Sequence, residues 1–233
     1  MSYSIIIPYR DREEHLETII PSLQHLMKDE TYEIIVVEQN DADKFKKNIL
    51  YNVASKYAKF DTLVFHDVDY YPTENVSYKT DKHTPLYPVR QVVFLGPDNN
   101  PLPMEEVPAG YRHFRNDVGN HSGGVFVLSR FLFDSIGGFN PYYFGWGKED
   151  DDTRDRVIAK GHKWHRNIEG SYYALYHKPI GNLDNDPDWH NNNKVYGNFH
   201  DYLTKGMDDC SADVEEYLMG DVRWLKLTNL QVK

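Results

Sequence analysis

A chain of 233 residues, 40% hydrophobic and 27% charged, has enough length for one large core or two small ones. A formal net charge of −10 argues against nucleic-acid binding through a general basic surface, and Cys210, the sole cysteine, leaves no intrachain disulfide. No apolar run is long enough to span a membrane and the first is too short for a signal-peptide core, so the chain reads as soluble and cytoplasmic.

The apolar run "YSIIIP" (3–8) predicts a strand. In "REEHLETIIPSLQHLMKDE" (12–30), Leu16, Ile19, Ile20, Leu23, Leu26 and Met27 recur at helical spacing, and Pro21 predicts a kink or a late helix start. "YEIIVV" (32–37) is a second strand, "KFKKNILYNVASKYA" (44–58) a second helix and "DTLVFH" (61–66) a third strand. Strand and helix alternate, which predicts an α/β domain with a mostly parallel sheet. Residues 70–120 hold seven prolines and read as a long irregular excursion with room for a hairpin, although "QVVFL" (91–95) has strand character. "GGVFVLS" (123–129) is a further strand, and "SRFLFDSIGGFN" (129–140) a short helix with Ser129 as N-cap and Gly137 near its end. "EDDDTRDRVIAKGH" (149–162) reads as a helix that starts acidic, and "NLDNDPDWHNNNK" (182–194) as polar turns. "DVEEYLMGD" (213–221) predicts a last helix and "VRWLKLTNLQV" (222–232) a last strand. With no internal repeat and no clear boundary, one domain is expected.

Four constellations carry candidate chemistry. In "VFHDVDYYP" (64–72) an apolar strand ends in Asp67 and Asp69, which alternation points the same way. Two such carboxylates can share a hard divalent cation, and an acidic turn after a strand would leave the same trace. In "IIIPYRDR" (5–12), Arg10 and Arg12 sit where a helix begins after a strand, a place that suits a diphosphate or two surface ion pairs with Glu13 and Glu14. In "YYFGWGKEDDD" (142–152), a helix N-terminus explains the tolerance for acid. The preceding Gly145-Trp146-Gly147 has the composition of a lid, and a carboxylate beyond it can serve as general base. His177 in "ALYHKP" is a candidate metal ligand or an ordinary structural histidine.

Taken together and in this order, Pro-aromatic-Arg-x-Arg, D-V-D, S-G-G-V, G-W-G-x-E-D-D-D and a histidine resemble the β-1,4-galactosyltransferase family, including its xylosylprotein branch. The resemblance runs from about Ile5 to His177. It implies a GT-A fold, a Rossmann-like mixed but mostly parallel sheet flanked by helices. It also implies inverting, metal-dependent transfer of a sugar, galactose by default, from a UDP-sugar to a glycan or glycoconjugate hydroxyl. Asp150 is then the general base, with Glu149 and Asp151 positioning donor sugar and acceptor. Asp69 and His177 hold Mn2+ (or Mg2+). Pro8, Tyr9, Arg10, Arg12, Lys47, Asp67, Val68, Trp146 and Gly147 line the UDP-sugar, and Gly123 and Gly124 line the sugar pocket. Residues 1–69 would form the nucleotide-binding half and 121–233 the acceptor-binding and catalytic half, with 70–120 between them.

The departures matter as much. The family supplies a further metal ligand two or three residues before the histidine, where this chain has Leu175 and Ala174. Lys47 replaces a family arginine, so a point charge stands in for a bidentate fork. Lys148 stands where small residues are usual. Asp152 is left as a structural residue of the helix start. The anchor, stem and disulfides of Golgi members are missing, which suggests a bacterial or viral relative. UDP-GalNAc, UDP-Glc and UDP-xylose fit the same motifs as donors. A non-catalytic glycan- or nucleotide-binding module on the same fold is the alternative from another class.

Overall fold

The computed structural model describes residues 1–103, 105–107, 123–167, 169–177 and 186–233. Within the sequence expectations, Met104, residues 108–120 of the excursion, Ser122 of S-G-G-V and residues 182–185 lie outside the described residues. The chain opens with β1 (Ser2–Tyr9), α1 (Glu13–Leu26), β2 (Thr31–Gln39), α2 (Lys47–Tyr57) and β3 (Thr62–His66). Three short strands follow: β4 (Tyr70–Pro72), β5 (Leu86–Tyr87) and β6 (Gln91–Phe94). Then come β7 (Val125–Ser129), α3 (Arg130–Ser135), α4 (Glu149–Ala159), β8 (His165–Arg166), β9 (Ser171–Ala174), α5 (Pro187–Gly197), β10 (Cys210–Met219) and β11 (Val222–Val232).

The main sheet has the order β10-β11-β2-β1-β3-β7-β5-β8, and a small second sheet the order β4-β9-β6. β1 pairs in parallel with both β2 and β3, and β2 with β11, while β7 enters antiparallel to β3. Alternation sorts each central strand between two cores. Ile5 and Ile7, Ile34 and Val36, Val64, and Val125 and Val127 face the layer that holds Leu16, Ile19 and Leu23 of α1. Ile6, Ile35, Val37, Leu63, Phe65, Phe126 and Leu128 face the layer that holds Ile49, Leu50 and Val53 of α2. Helices therefore cover both faces, and the continuous apolar runs follow from two-sided burial.

Three local expectations change. The late helix start at Pro21 does not occur: α1 already begins at Glu13, and Pro21 lies on its exposed side, where the missing N–H costs a hydrogen bond and water can satisfy the freed carbonyl. Residues 187–194 are helical rather than turns, because Asp186 caps the backbone N–H groups of Asp188 and Trp189 and Pro187 occupies the first turn. "DVEEYLMGD" is not a helix. Most of it belongs to β10, which pairs antiparallel with β11 down to Met219 opposite Val222, around Gly220-Asp221. Helix-forming Glu, Leu and Met lose here to strand pairing that no local window can register. The proline-rich excursion contains β4 to β6, and Leu95, just before "GPDNNPLP", bridges Pro101 antiparallel in a small hairpin.

Candidate active site

β1 has β2 on one side and β3 on the other, so the chain changes direction at β1. In open α/β sheets the crevice beyond the strand carboxyl ends at such a switch is where ligands bind. Arg10 and Arg12 follow β1 there, and Asp67 and Asp69 follow β3. Gly124 steers the second pair, because its carbonyl accepts the Asp67 N–H at 2.7 Å. Its φ is +74°, and a Cβ there would lie 2.2 Å from the Tyr70 ring, so only glycine fits. Gly123 precedes it and Val68 packs partly buried against the α1-side core. Pro8 is buried in β1 opposite Val37, and the Tyr9 ring meets Trp224 of β11 edge-on at 5.6 Å.

Three carboxylates converge on one ammonium. Lys47 Nζ lies 2.9 Å from Glu149 Oε1, 3.1 Å from Asp150 Oδ1 and 3.5 Å from Asp67 Oδ2. Tyr51, one helical turn along α2, donates to the other Asp67 oxygen at 3.0 Å. Burial acts to lower the Lys47 pKa, but Asp150, Asp67 and Glu149 outweigh it and hold the ammonium charged. Burial pushes the Asp150 carboxyl well above the aspartate range, with Lys47 opposing and Glu149 and Asp67 adding repulsion. Asp67 is pushed up to about 6, mainly by burial, against the pull of Lys47.

On the other side of Asp67, Asp69 Oδ2 and His177 Nε2 are 3.2 Å apart. Leu175 N–H donates to Asp69 O at 2.7 Å and so brings the β9 end and His177 alongside. Burial would raise the Asp69 carboxyl, yet the hydrogen bond and charge of His177, with Arg12 and His15 nearby, hold it below the ordinary value. A carboxylate and an imidazole suit a manganese-like ion. Among the described residues no group of three His, Cys, Asp or Glu side chains forms, so the pair has no third protein ligand of those types. Among the described residues, Arg12 Nη1 and His15 Nδ1 are buried without a hydrogen-bond partner, a cost that a bound polar group would relieve. Arg10 is engaged elsewhere: it donates to the Asp43 carbonyl and lies 5.3 Å over the Phe45 ring.

The Gly145-Trp146-Gly147 segment rests on α5. Buried Asn192 donates to the carbonyls of Phe144 at 2.9 Å and Trp146 at 3.2 Å, and accepts the Phe144 N–H at 3.3 Å. Trp146 stacks on Trp189 with ring centroids 5.5 Å apart. A Cβ on Gly147 would meet the Trp189 ring at 2.6 Å, so this glycine makes room for that stack. Lys148 adopts φ +71°, unusual for a residue with a side chain, and its ammonium lies over Trp189 and Tyr196 and 3.0 Å from Asp151. Arg154 pairs with the other Asp151 oxygen at 2.9 Å. Asp152 turns inward: fully buried, it accepts from Arg156 Nε at 2.6 Å, Tyr143 Oη at 3.1 Å and Asn140 Nδ2 at 3.3 Å.

The model for the N-terminal region of glycosyl transferase group 7 matches residues 1–80, and that for the N-terminal domain of galactosyltransferase matches residues 108–178. Human β-1,4-galactosyltransferase 4 is 35% identical over 185 residues, which is 75% of this chain and 48% of that protein. The chain belongs to the β-1,4-galactosyltransferase family. Another relative, the β-1,4-N-acetylglucosaminyl-transferase of Lymnaea stagnalis, is 33% identical over 66% of this chain and 30% of its own length. The chain thus spans about half or less of these family members. Drosophila β-1,4-galactosyltransferase 7, solved with manganese, UDP-Gal and xylobiose, superposes with a TM-score of 0.68 at 21% identity, over 100% of this chain and 94% of that one. The shared fold is GT-A.

For a β-1,4-galactosyltransferase family member, sequence reasoning missed Tyr51, Trp189 and Asn192. Tyr51 was within reach, since it lies four residues after Lys47 on one helix face. Trp189 and Asn192 were hidden by reading α5 as turns. Among the described residues no helix is long and apolar enough to cross a membrane.

Proposed function

We propose that this chain is an inverting, metal-dependent transferase that moves a sugar, galactose by default, from a UDP-sugar to a hydroxyl of a glycan or glycoconjugate. One observation carries the reading: Glu149, Asp150 and Asp67 gather at Lys47 beside the Asp69–His177 pair, in the crevice beyond β1 and β3. The Drosophila relative bound to manganese, UDP-Gal and xylobiose supports it. Residues 1–69 would bind the nucleotide and 121–233 the acceptor, with 70–120 shaping the pocket.

Asp69 and His177 are the residues that would hold Mn2+ (or Mg2+), which when bound supplies Lewis-acid stabilisation of the leaving diphosphate. Arg12, with its buried unpartnered Nη1, faces that diphosphate as a fixed charge. Arg10 follows the same strand but would have to leave the Asp43 carbonyl and the Phe45 ring to join it, and Pro8, Tyr9, Asp67 and Val68 line the nucleotide. Asp150 takes the proton of the acceptor hydroxyl, whose oxygen then bonds to the anomeric carbon as the bond to UDP breaks on the opposite face. Glu149, Asp151, Gly123 and Gly124 position the sugars. Trp146 and Gly147 cover them and exclude water, which limits hydrolysis of the donor. UDP-GalNAc, UDP-Glc and UDP-xylose are the other donors this site admits.

A donor panel read by UDP release, with and without glycan acceptors, identifies the sugar. Asp150→Asn is expected to lower kcat by about a hundredfold or more while UDP affinity survives. Normal turnover by that variant would remove Asp150 from its role. Full activity after thorough chelation would remove the Asp69–His177 site. The two-ligand metal pair favours one other reading, a non-catalytic glycan- or nucleotide-binding module. Binding of UDP-sugars with no release of UDP under any acceptor would support it.

A further inference from the structure

Lys47 opens α2 with its side chain only 12% exposed, and its ammonium reaches Glu149, Asp150 and Asp67 from a single position. These carboxylates come from the start of α4 and from the turn after β3, so residues 82 or more positions apart share one counter-charge. An ammonium is a compact point charge that can sit among three carboxylates, whereas a planar fork favours one or two. The groups facing Asp150 are Lys47 from α2, Glu149 from its own helix and Asp67 from the β3 turn, with Tyr51 beyond Asp67. Lys47 is the cation among them. Like charges this close cannot all stay ionised without one.

We propose that Lys47 is a positioning residue for Asp150, the counter-charge that favours its ionised form and holds it in place, and that diphosphate binding is left to the Arg12 side of the crevice. The inference rests on the reading of Asp150 as general base. Burial and neighbouring acids drive Asp150 toward its protonated form, in which it can accept no proton, and Lys47 opposes them. Arg12 points to the other half of the division, since among the described residues its Nη1 still lacks a partner while Lys47 already faces three carboxylates.

The test compares Lys47→Met and Lys47→Arg with the parent chain. The acid limb of the kcat/KM profile is expected to move up by about one pH unit or more in Lys47→Met. Lys47→Arg should recover much of the original limb. The Kd for UDP with manganese should change by less than about threefold in Lys47→Met. An unmoved acid limb together with a tenfold or larger loss of UDP affinity would overturn the proposal and make Lys47 a phosphate ligand. Should Lys47→Met be too slow to profile, a double-mutant cycle with Asp150→Asn in urea unfolding decides. Lys47→Met should lower the midpoint clearly in the parent and much less in the Asp150→Asn background, and equal losses would overturn the proposal. Asp150→Asn with normal turnover would instead sink the base assignment, and the cycle would still report whether Lys47 and Asp150 are coupled.

Discussion

At residue scale, four consecutive acids from Glu149 to Asp152 do different work because different groups face them. Glu149 and Asp150 meet Lys47, Asp151 meets Lys148 and Arg154, and Asp152 meets Arg156 in the interior. Arg156 is 1% exposed and also donates to the carbonyls of Lys205 and Tyr202, so it ties α4 to the segment before β10. Asp152→Ala would leave that guanidinium buried with carbonyls only. The expected loss is about 3–5 kcal/mol in urea unfolding, typical of a broken buried pair. Asp151→Ala removes a partly exposed carboxylate and should cost about 1 kcal/mol or less. Equal losses for the two variants would contradict the division. The sequence made the acid run visible and the helix start tolerable. It could also have shown Asp152 and Arg156 four apart on one helix face. It could not show that Lys47, a hundred residues earlier, closes on the same acids, because only the folded sheet brings α2 and α4 together.

At the scale of elements, legibility followed the range of the interactions. β1 to β3, α1, α2 and β7 announced themselves through local periodicity and two-sided burial, and Ser129 capped α3 as its sequence predicts. β10 was misread because its pairing partner, not its own composition, makes it a strand. α5 was missed because three consecutive asparagines look like a turn, yet Asn192 is buried and holds backbone from a segment 46–48 residues away. Replacing that asparagine tests whether α5 holds the Phe144–Gly147 segment. Asn192→Ala should lower global stability by about 1–3 kcal/mol, the usual cost of stranding buried polar groups. It should also alter the near-UV circular dichroism contributed by the Trp146–Trp189 stack under native conditions. Trp189→Ala should produce a spectral change of the same kind. A spectrum unchanged in Asn192→Ala would mean that the segment holds its place without α5.

For the molecule as a whole, two neighbouring residues set opposing pH dependences. His66, the last residue of β3, is fully buried between the rings of Tyr78 and Tyr172, with its Nε2 unpartnered and its Nδ1 bonded to the Asp67 carbonyl. Burial holds its pKa down at about 4, against 6.5 for an ordinary histidine. Between those values the unfolded chain takes up a proton that the folded chain refuses, so this residue makes stability fall as pH drops. A shift of about 2.5 units corresponds to about 3 kcal/mol, present in full above the unfolded pKa and lost progressively toward pH 4. Asp67 works the other way. Its pKa is raised from 3.8 to about 6, so between those values the folded chain keeps a proton the unfolded chain has released, and stability falls as pH rises. Its side chain is 23% exposed, and solvent screening makes this contribution the smaller one. The two arms partly cancel between about pH 4.5 and 6.5 in metal-free urea unfolding, and the raised Asp150 and Asp152 carboxyls add to the Asp67 side in the parent and both variants. His66→Phe removes the larger arm, so its stability relative to the parent should improve on acidification by up to about 3 kcal/mol across that window. Asp67→Asn should steepen the loss of stability in acid. Three parallel curves would show that neither group changes its proton affinity on folding, and a steeper acid loss in His66→Phe would mean that the buried imidazole is held charged.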